Sequence, residues 1–121
     1  MLQRLKHLRV LLVEDEYFLA NDLARTLVSG GAEVIGPVAT ACDAHQLVDR
    51  QIDAAVLDIK LADGQVFAIA DELSRKHVPF VFATGYGPEI IPDRFQGVAR
   101  LEKPYDNENV VDAVARLCLL A

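Results

Sequence analysis

Four short apolar runs in this 121-residue chain lead into residues able to do chemistry. The run LRVLLV is followed by Glu14-Asp15-Glu16, AAVL by Asp58, PFVFA by Thr84, and VARLE by Lys103-Pro104. Carboxylates about 5 Å apart repel by roughly 3 kcal/mol at an effective dielectric near 20, so three acids gathered at one point call for a divalent cation. Oxygen-only ligands with open positions suit Mg²⁺, which keeps several of its waters. A cation beside an aspartate also neutralises an incoming phosphoryl group, so that the carboxylate can attack phosphorus and form an acyl phosphate. An ammonium and a hydroxyl can then hold the remaining phosphoryl oxygens. Each residue alone has an ordinary reading. Acids at a helix start complement its dipole, a Thr ends a strand, and a lysine is solvated. Asp58 fits such a reading least, because a lone acid after AAVL is costly without a partner or a task. The chemistry therefore depends on whether the fold brings these positions together.

The elements that must position them alternate between strand and helix patterns. Residues 8–13 are short, β-branched and nearly all apolar, as a strand buried on both faces is, and 33–38, 53–59, 79–83 and 98–102 read as four further strands. Pro37 suits an edge position for the second. Between them, Phe18, Leu19, Leu23, Thr26 and Leu27 recur at helical spacing until Gly30-Gly31 stops the pattern. Thr40-x-x-Asp43 opens a second helix with Ala44, Leu47 and Val48 on one face. Val66, Phe67, Ile69, Ala70 and Leu73 mark a third after a loop holding Asp63-Gly64. Asp106 caps a last helix carrying Val110, Val111, Val114, Leu117 and Cys118. Such alternation implies right-handed βαβ crossovers and a doubly wound, flavodoxin-like five-stranded parallel sheet in the order 2-1-3-4-5. In that order the ends of the first and third strands flank the switch point where open α/β sheets bind ligands, and the chemical residues converge there.

Composition narrows the classes further. A hydrophobic content of 52% supports a real core, and no linker or repeat divides the chain, so residues 1–121 read as one domain. A net charge of −6 argues against a sequence-independent grip on nucleic acid and against an anionic membrane surface. Apolar stretches of four to six residues are far short of the roughly 20 that a membrane span needs. The N-terminal apolar run is too short for a secretory signal and meets acids, not small residues. Cys42 and Cys118 make no disulfide framework or zinc motif and read as buried small hydrophobes. His7, His45 and His77 lack metal-ligand spacing and read as surface or loop residues. The expected setting is cytoplasmic.

The motifs VEDE, LDIKLADG, FATGYG and EKPY, in this order across the chain, resemble the receiver domain of bacterial two-component response regulators, the CheY-like fold. The resemblance implies a phosphoryl-accepting signalling switch in which Asp58 is the phosphoacceptor. Asp15, Asp58 and the backbone carbonyl of Lys60 would bind Mg²⁺, with Glu14 acting mainly through a metal-bound water. Thr84 would be the switch hydroxyl, and Lys103 would pair with the phosphoryl group. The Lys103–Pro104 bond would be cis. PFVFATGYG is similar to the "FAT GUY" subgroup, which implies a sensor histidine kinase of the HWE or a related class, or a phosphotransfer protein, as partner. The chain departs from the family at Arg100, where receivers usually carry the Tyr or Phe that turns inward on activation. It also carries Glu14 where Asp is commoner.

Such a domain assists its own phosphorylation and dephosphorylation and has no separate substrate, so it is not an enzyme in the ordinary sense. With no DNA-binding or enzymatic domain after the last helix, the expected output is a contact with an unknown downstream protein. The alternative is a phosphate shuttle or sink. A Mg²⁺-dependent aspartyl phosphatase would carry DxD after the first strand and a cap domain, for which 121 residues leave no room. Residues 85–97, GYGPEIIPDRFQG, should hold at most one or two distorted turns where receivers usually have a fourth helix, because Pro92 removes a donor and the glycines raise the ordering cost. Two readings stay open for this segment: a mobile switching element, or a rigid loop pinned by Ile90, Ile91 and Phe95. The ending LCLLA reads equally as core or as docking surface.

Overall fold

A computed structural model describes residues 3–120. Its strands are β1 (Arg9–Val13), β2 (Glu33–Val38), β3 (Ala54–Leu57), β4 (Phe80–Thr84) and β5 (Arg100–Glu102). Its helices are α1 (Tyr17–Ser29), α2 (Ala41–Leu47), α3 (Phe67–Arg75) and α4 (Asn107–Leu120). The five strands form one parallel sheet in the order β2-β1-β3-β4-β5, the doubly wound order that the alternation predicts. β2 is an edge, as its Pro37 requires. A two-stranded hairpin, Lys60–Leu61 against Gly64–Gln65, lies in the loop after β3. Two-residue strands carry no periodicity, so the sequence pattern had no signal for it.

Strict alternation sorts each strand between two cores. Leu11 and Val13, Ala55 and Leu57, and Phe80 and Phe82 face α2 and α3. Val10 and Leu12, Ala54 and Val56, and Val81 and Ala83 face α1 and α4. Each fully buried Leu, Val or Phe contributes about 1.5–3 kcal/mol, so both layers are needed to hold the sheet. The caps expected from sequence form. The Thr40 hydroxyl accepts from the Asp43 amide at 3.0 Å, and the Asp106 carboxylate accepts from the Glu108 amide at 3.1 Å. Gly31 closes the turn after α1 with φ +99°, where a Cβ would lie 2.8 Å from the Lys6 backbone.

The readings of Phe18 and Cys42 are corrected. Phe18 is 85% exposed and Tyr17 is 72% exposed; the inward face of α1 is instead made by Ala20, Leu23 and Leu27. Cys42 is exposed as well, because the short α2 buries only Ala44 fully and position 42 points away from it; Cys118 is half-buried against the α1–α4 core. In the C-terminal run, Leu117 and Cys118 pack on that core whereas Leu119 is exposed. Residues 85–97 form two single 3₁₀ turns, Pro88–Ile90 and Asp93–Phe95, and no α-helix. Ile91 and Phe95 are buried, Ile90 packs against the same core, and the Phe95 ring meets Phe67, Phe80 and Phe82 at 5.8–6.1 Å. Among the described residues no helix is long and apolar enough to cross a membrane.

Candidate functional site

The parallel ladder builds the site. Val13 pairs with Leu57, so the residues that follow, Glu14 and Asp58, emerge side by side, with the Asp58 amide donating to the Val13 carbonyl at 2.8 Å. The Glu14 amide donates to the Val38 carbonyl at 2.9 Å, which continues the β1–β2 pairing past Val13. Thr84 pairs with Glu102, and the Lys103 amide donates to the Thr84 carbonyl at 2.8 Å. The Lys103–Pro104 bond is cis, as expected, and Gly36–Pro37 is cis too.

Side chains from three strand ends then meet. The Lys103 ammonium lies 2.8 Å from Glu14 Oε1, 3.2 Å from Asp58 Oδ2 and 3.6 Å from Glu16 Oε1. Glu14, Asp58 and Thr84 are all buried. Glu14, Asp15 and Asp58 each offer a carboxylate oxygen, and these lie within 4.8 Å of one another. That donor set, hard oxygens on three carboxylates with one side open, fits a magnesium ion. A crevice of about 640 Å³ opens above them, lined by Asp15, Glu16, Asp58, Lys60, Tyr86 and Lys103 among others. The Lys60 ammonium stands over the Tyr86 ring at 5.8 Å, at the mouth of this crevice.

Burial, then the hydrogen bond and charge of Glu14, push the Asp58 carboxyl up to about 8 against the pull of Lys103. Burial works against the Lys103 charge, yet its bonds to Glu14 and the charges of Asp58 and Glu14 outweigh this and raise it above the usual lysine range. The two directions agree once the distances are compared. The ammonium sits closest to Glu14, so it compensates Asp58 only in part and the Asp58 carboxyl stays raised.

The Thr84 hydroxyl does not point its bonding at Asp58 here; it accepts the Tyr86 amide at 2.9 Å and keeps its own proton to donate. Arg100, at the position of the usual aromatic, holds Glu102 at 2.9 Å and makes a long 3.5 Å contact to the Tyr86 carbonyl. Tyr105, which the sequence reading gives no task, follows Lys103 and Pro104. Its hydroxyl is buried with no partner among the described residues, and burial followed by the charge of Glu14 pushes it up to about 12. Its place two residues beyond Lys103 was the available signal, since a buried phenol usually finds a partner.

No family model matches the chain. The phyllosphere-induced regulator PhyR of Methylorubrum extorquens is 31% identical over 117 residues, covering 88% of this chain and 42% of that protein. The chain spans about half the length of the curated relatives it matches. SdrG from Sphingomonas melonis Fr1 has a solution structure that superimposes with a TM-score of 0.78 at 34% identity, covering 92% of this chain and 96% of that one. The PhyR response regulator REC domain of Erythrobacter litoralis gives 0.81 at 27% identity, covering 94% and 92%.

Proposed function

Because the chain belongs to the receiver domains of response regulators, we propose that it is a phosphoryl-accepting switch whose acceptor is Asp58. The observation that carries this reading is a buried aspartate, clustered with two further carboxylates and bridged by Lys103, at the open switch point of the sheet. Asp58 attacks the phosphorus of a phosphohistidine. A P–O bond forms as the P–N bond breaks, and the electron pair leaves with an imidazole whose other nitrogen carries a proton. Asp15, Asp58 and the Lys60 carbonyl, with Glu14 through a water, would hold Mg²⁺, which supplies positive charge to the clustered carboxylates and the phosphoryl oxygens. Lys103 moves from Glu14 and Asp58 to a phosphoryl oxygen, and Thr84 donates its free proton to another. Lys60 and Tyr86 stand at the mouth and limit access of the hydrolytic water.

The phosphodonor is a sensor histidine kinase of the HWE or a related class, or a phosphotransfer protein; the motif PFVFATGYG supports this. The domain comprises the whole chain, works in the cytoplasm, and signals through altered contacts with another protein. Transfer of labelled phosphate from candidate kinases and phosphotransfer proteins, with rates compared, tests the reading. Fast, saturable transfer from one donor to the native chain and none to Asp58→Ala is expected. Equal labelling of both would remove Asp58 from its role.

A further inference from the structure

The loop between Asp58 and α3 is tied to an element that takes no part in the site described above. The Asp63 carboxylate accepts the Ala41 amide on Oδ1 at 2.8 Å and the Cys42 amide on Oδ2 at 3.0 Å. These are the first two amides of α2, which have no partner within the helix. Thr40, the local cap, takes only the third amide, that of Asp43. Helix ends are ordinarily satisfied from their own neighbourhood. Here two amides are satisfied from 21 and 22 residues away, with both carboxylate oxygens used.

The same loop is otherwise held tightly. Its start is fixed by the Asp58 amide on Val13 and its end by the Val66 amide on the Ile59 carbonyl at 2.9 Å. Between them Lys60 pairs with Gln65 and Leu61 with Gly64, and the Leu61 side chain is buried. Gly64, at φ +134°, makes the return that a side chain would strain. The exposed tip at Asp63 is thus the corner of this hairpin anchored by charged hydrogen bonds to a helix, and it sits three residues from Lys60.

We propose that Asp63 is a positioning residue that latches the Lys60 hairpin to the N-terminus of α2, so that ion binding at the acidic cluster and the state of α2 are coupled. The proposal rests on the Mg²⁺ reading of that cluster. A hairpin held at its tip presents Lys60 in one place, and a hairpin released there does not. Coupling is reciprocal, so whatever binds the hairpin's ordered state also orders the first turn of α2. That turn carries Cys42 and Asp43 on the surface, so the state of the crevice becomes readable on a face of the domain remote from β5 and α4.

Titration of the full chain with Mg²⁺ alone, followed by backbone amide signals, tests this. In the native chain Mg²⁺ should slow amide exchange at Ala41 and Cys42. Asp63→Ala should weaken Mg²⁺ binding by about tenfold, the low end for partners outside the ligand shell, and abolish that change. Asp63→Asn keeps one acceptor oxygen and should recover much of the affinity, which a general loss of stability would not. Native Mg²⁺ affinity in Asp63→Ala, or an unchanged Mg²⁺ response at Ala41 and Cys42, would overturn the latch. Asp15→Asn separates the two readings: undiminished Mg²⁺ affinity in that variant would overturn the ion site itself, and the latch with it.

Discussion

The acidic crevice and the segment of residues 85–97 share one strand and obey opposite physics. β4 ends at the buried Thr84, next to Gly85 and Tyr86 of the crevice wall, while its Phe80 and Phe82 support the segment from below. In the crevice, buried like charges crowd around one ammonium, an arrangement that costs stability. In the segment, Phe95 packs on three aromatic rings, Arg94 forms a two-bond pair with Asp71 at 2.9 Å, and the Gln96 amide holds the carbonyls of Pro88 and Ile91. A region without a regular helix is therefore the well-held one, and the region of regular strand ends is the frustrated one. Regularity of backbone and depth of stabilisation are separate properties here.

Removing the acceptor breaks the crevice side of this contrast most completely. Asp58→Ala should abolish labelling by acetyl phosphate, whereas Lys103→Ala and Thr84→Ala should retain some, because only Asp58 supplies the nucleophile. Acid-stable stoichiometric labelling of Asp58→Ala would overturn that division of roles. Phe95→Ala tests the other side. It should cost about 3–5 kcal/mol in denaturant unfolding and speed amide exchange across residues 85–97. A cost below about 1 kcal/mol would mean that packing does not pin the segment.

The pH dependence sharpens the comparison. The Asp58 carboxyl rises from its usual range to about 8 on folding, so between these values the folded state holds a proton that the unfolded state lacks. Stability of the metal-free protein should therefore fall as pH rises through that window, and Mg²⁺ should bind more tightly towards pH 8. Asp58→Asn should raise the metal-free melting temperature at neutral pH, flatten this slope and reduce the gain on adding Mg²⁺. A steeper slope in Asp58→Asn would place the extra proton elsewhere. The smallest effect is expected at the mouth. Lys60→Ala and Tyr86→Ala should each change acyl-phosphate lifetime by a few-fold, with stability within about 0.5 kcal/mol of native. Unchanged decay in both would show that neither shields the phosphoryl group.

Much of this architecture is legible in the sequence. Short apolar runs between helical patterns imply the parallel sheet, and its order places Glu14, Asp58, Thr84 and Lys103 at one rim, because parallel ladders bring strand ends together. The missing fourth helix was legible from Pro92 and the glycines. The outward turn of Tyr17 and Phe18 was not, since an apolar side chain on a helix carries no mark of which neighbour will cover it. Nor was the exposure of Cys42, which follows from how little of α2 the sheet covers.

The set of chemical groups, and the rim of the sheet where they gather, follow from residue types and strand order alone. Alternation and register act over a few residues and leave little choice there. Which of those groups touch is set by the folded packing. Lys103 favours Glu14 over Asp58, Thr84 turns to the Tyr86 amide, the Tyr105 hydroxyl is left without a partner among the described residues, and Asp63 reaches α2. These are choices among rotamers and loop closures, several of them between residues more than twenty positions apart. Their energies differ by the small margins of single hydrogen bonds, about 1 kcal/mol each, which no local pattern encodes.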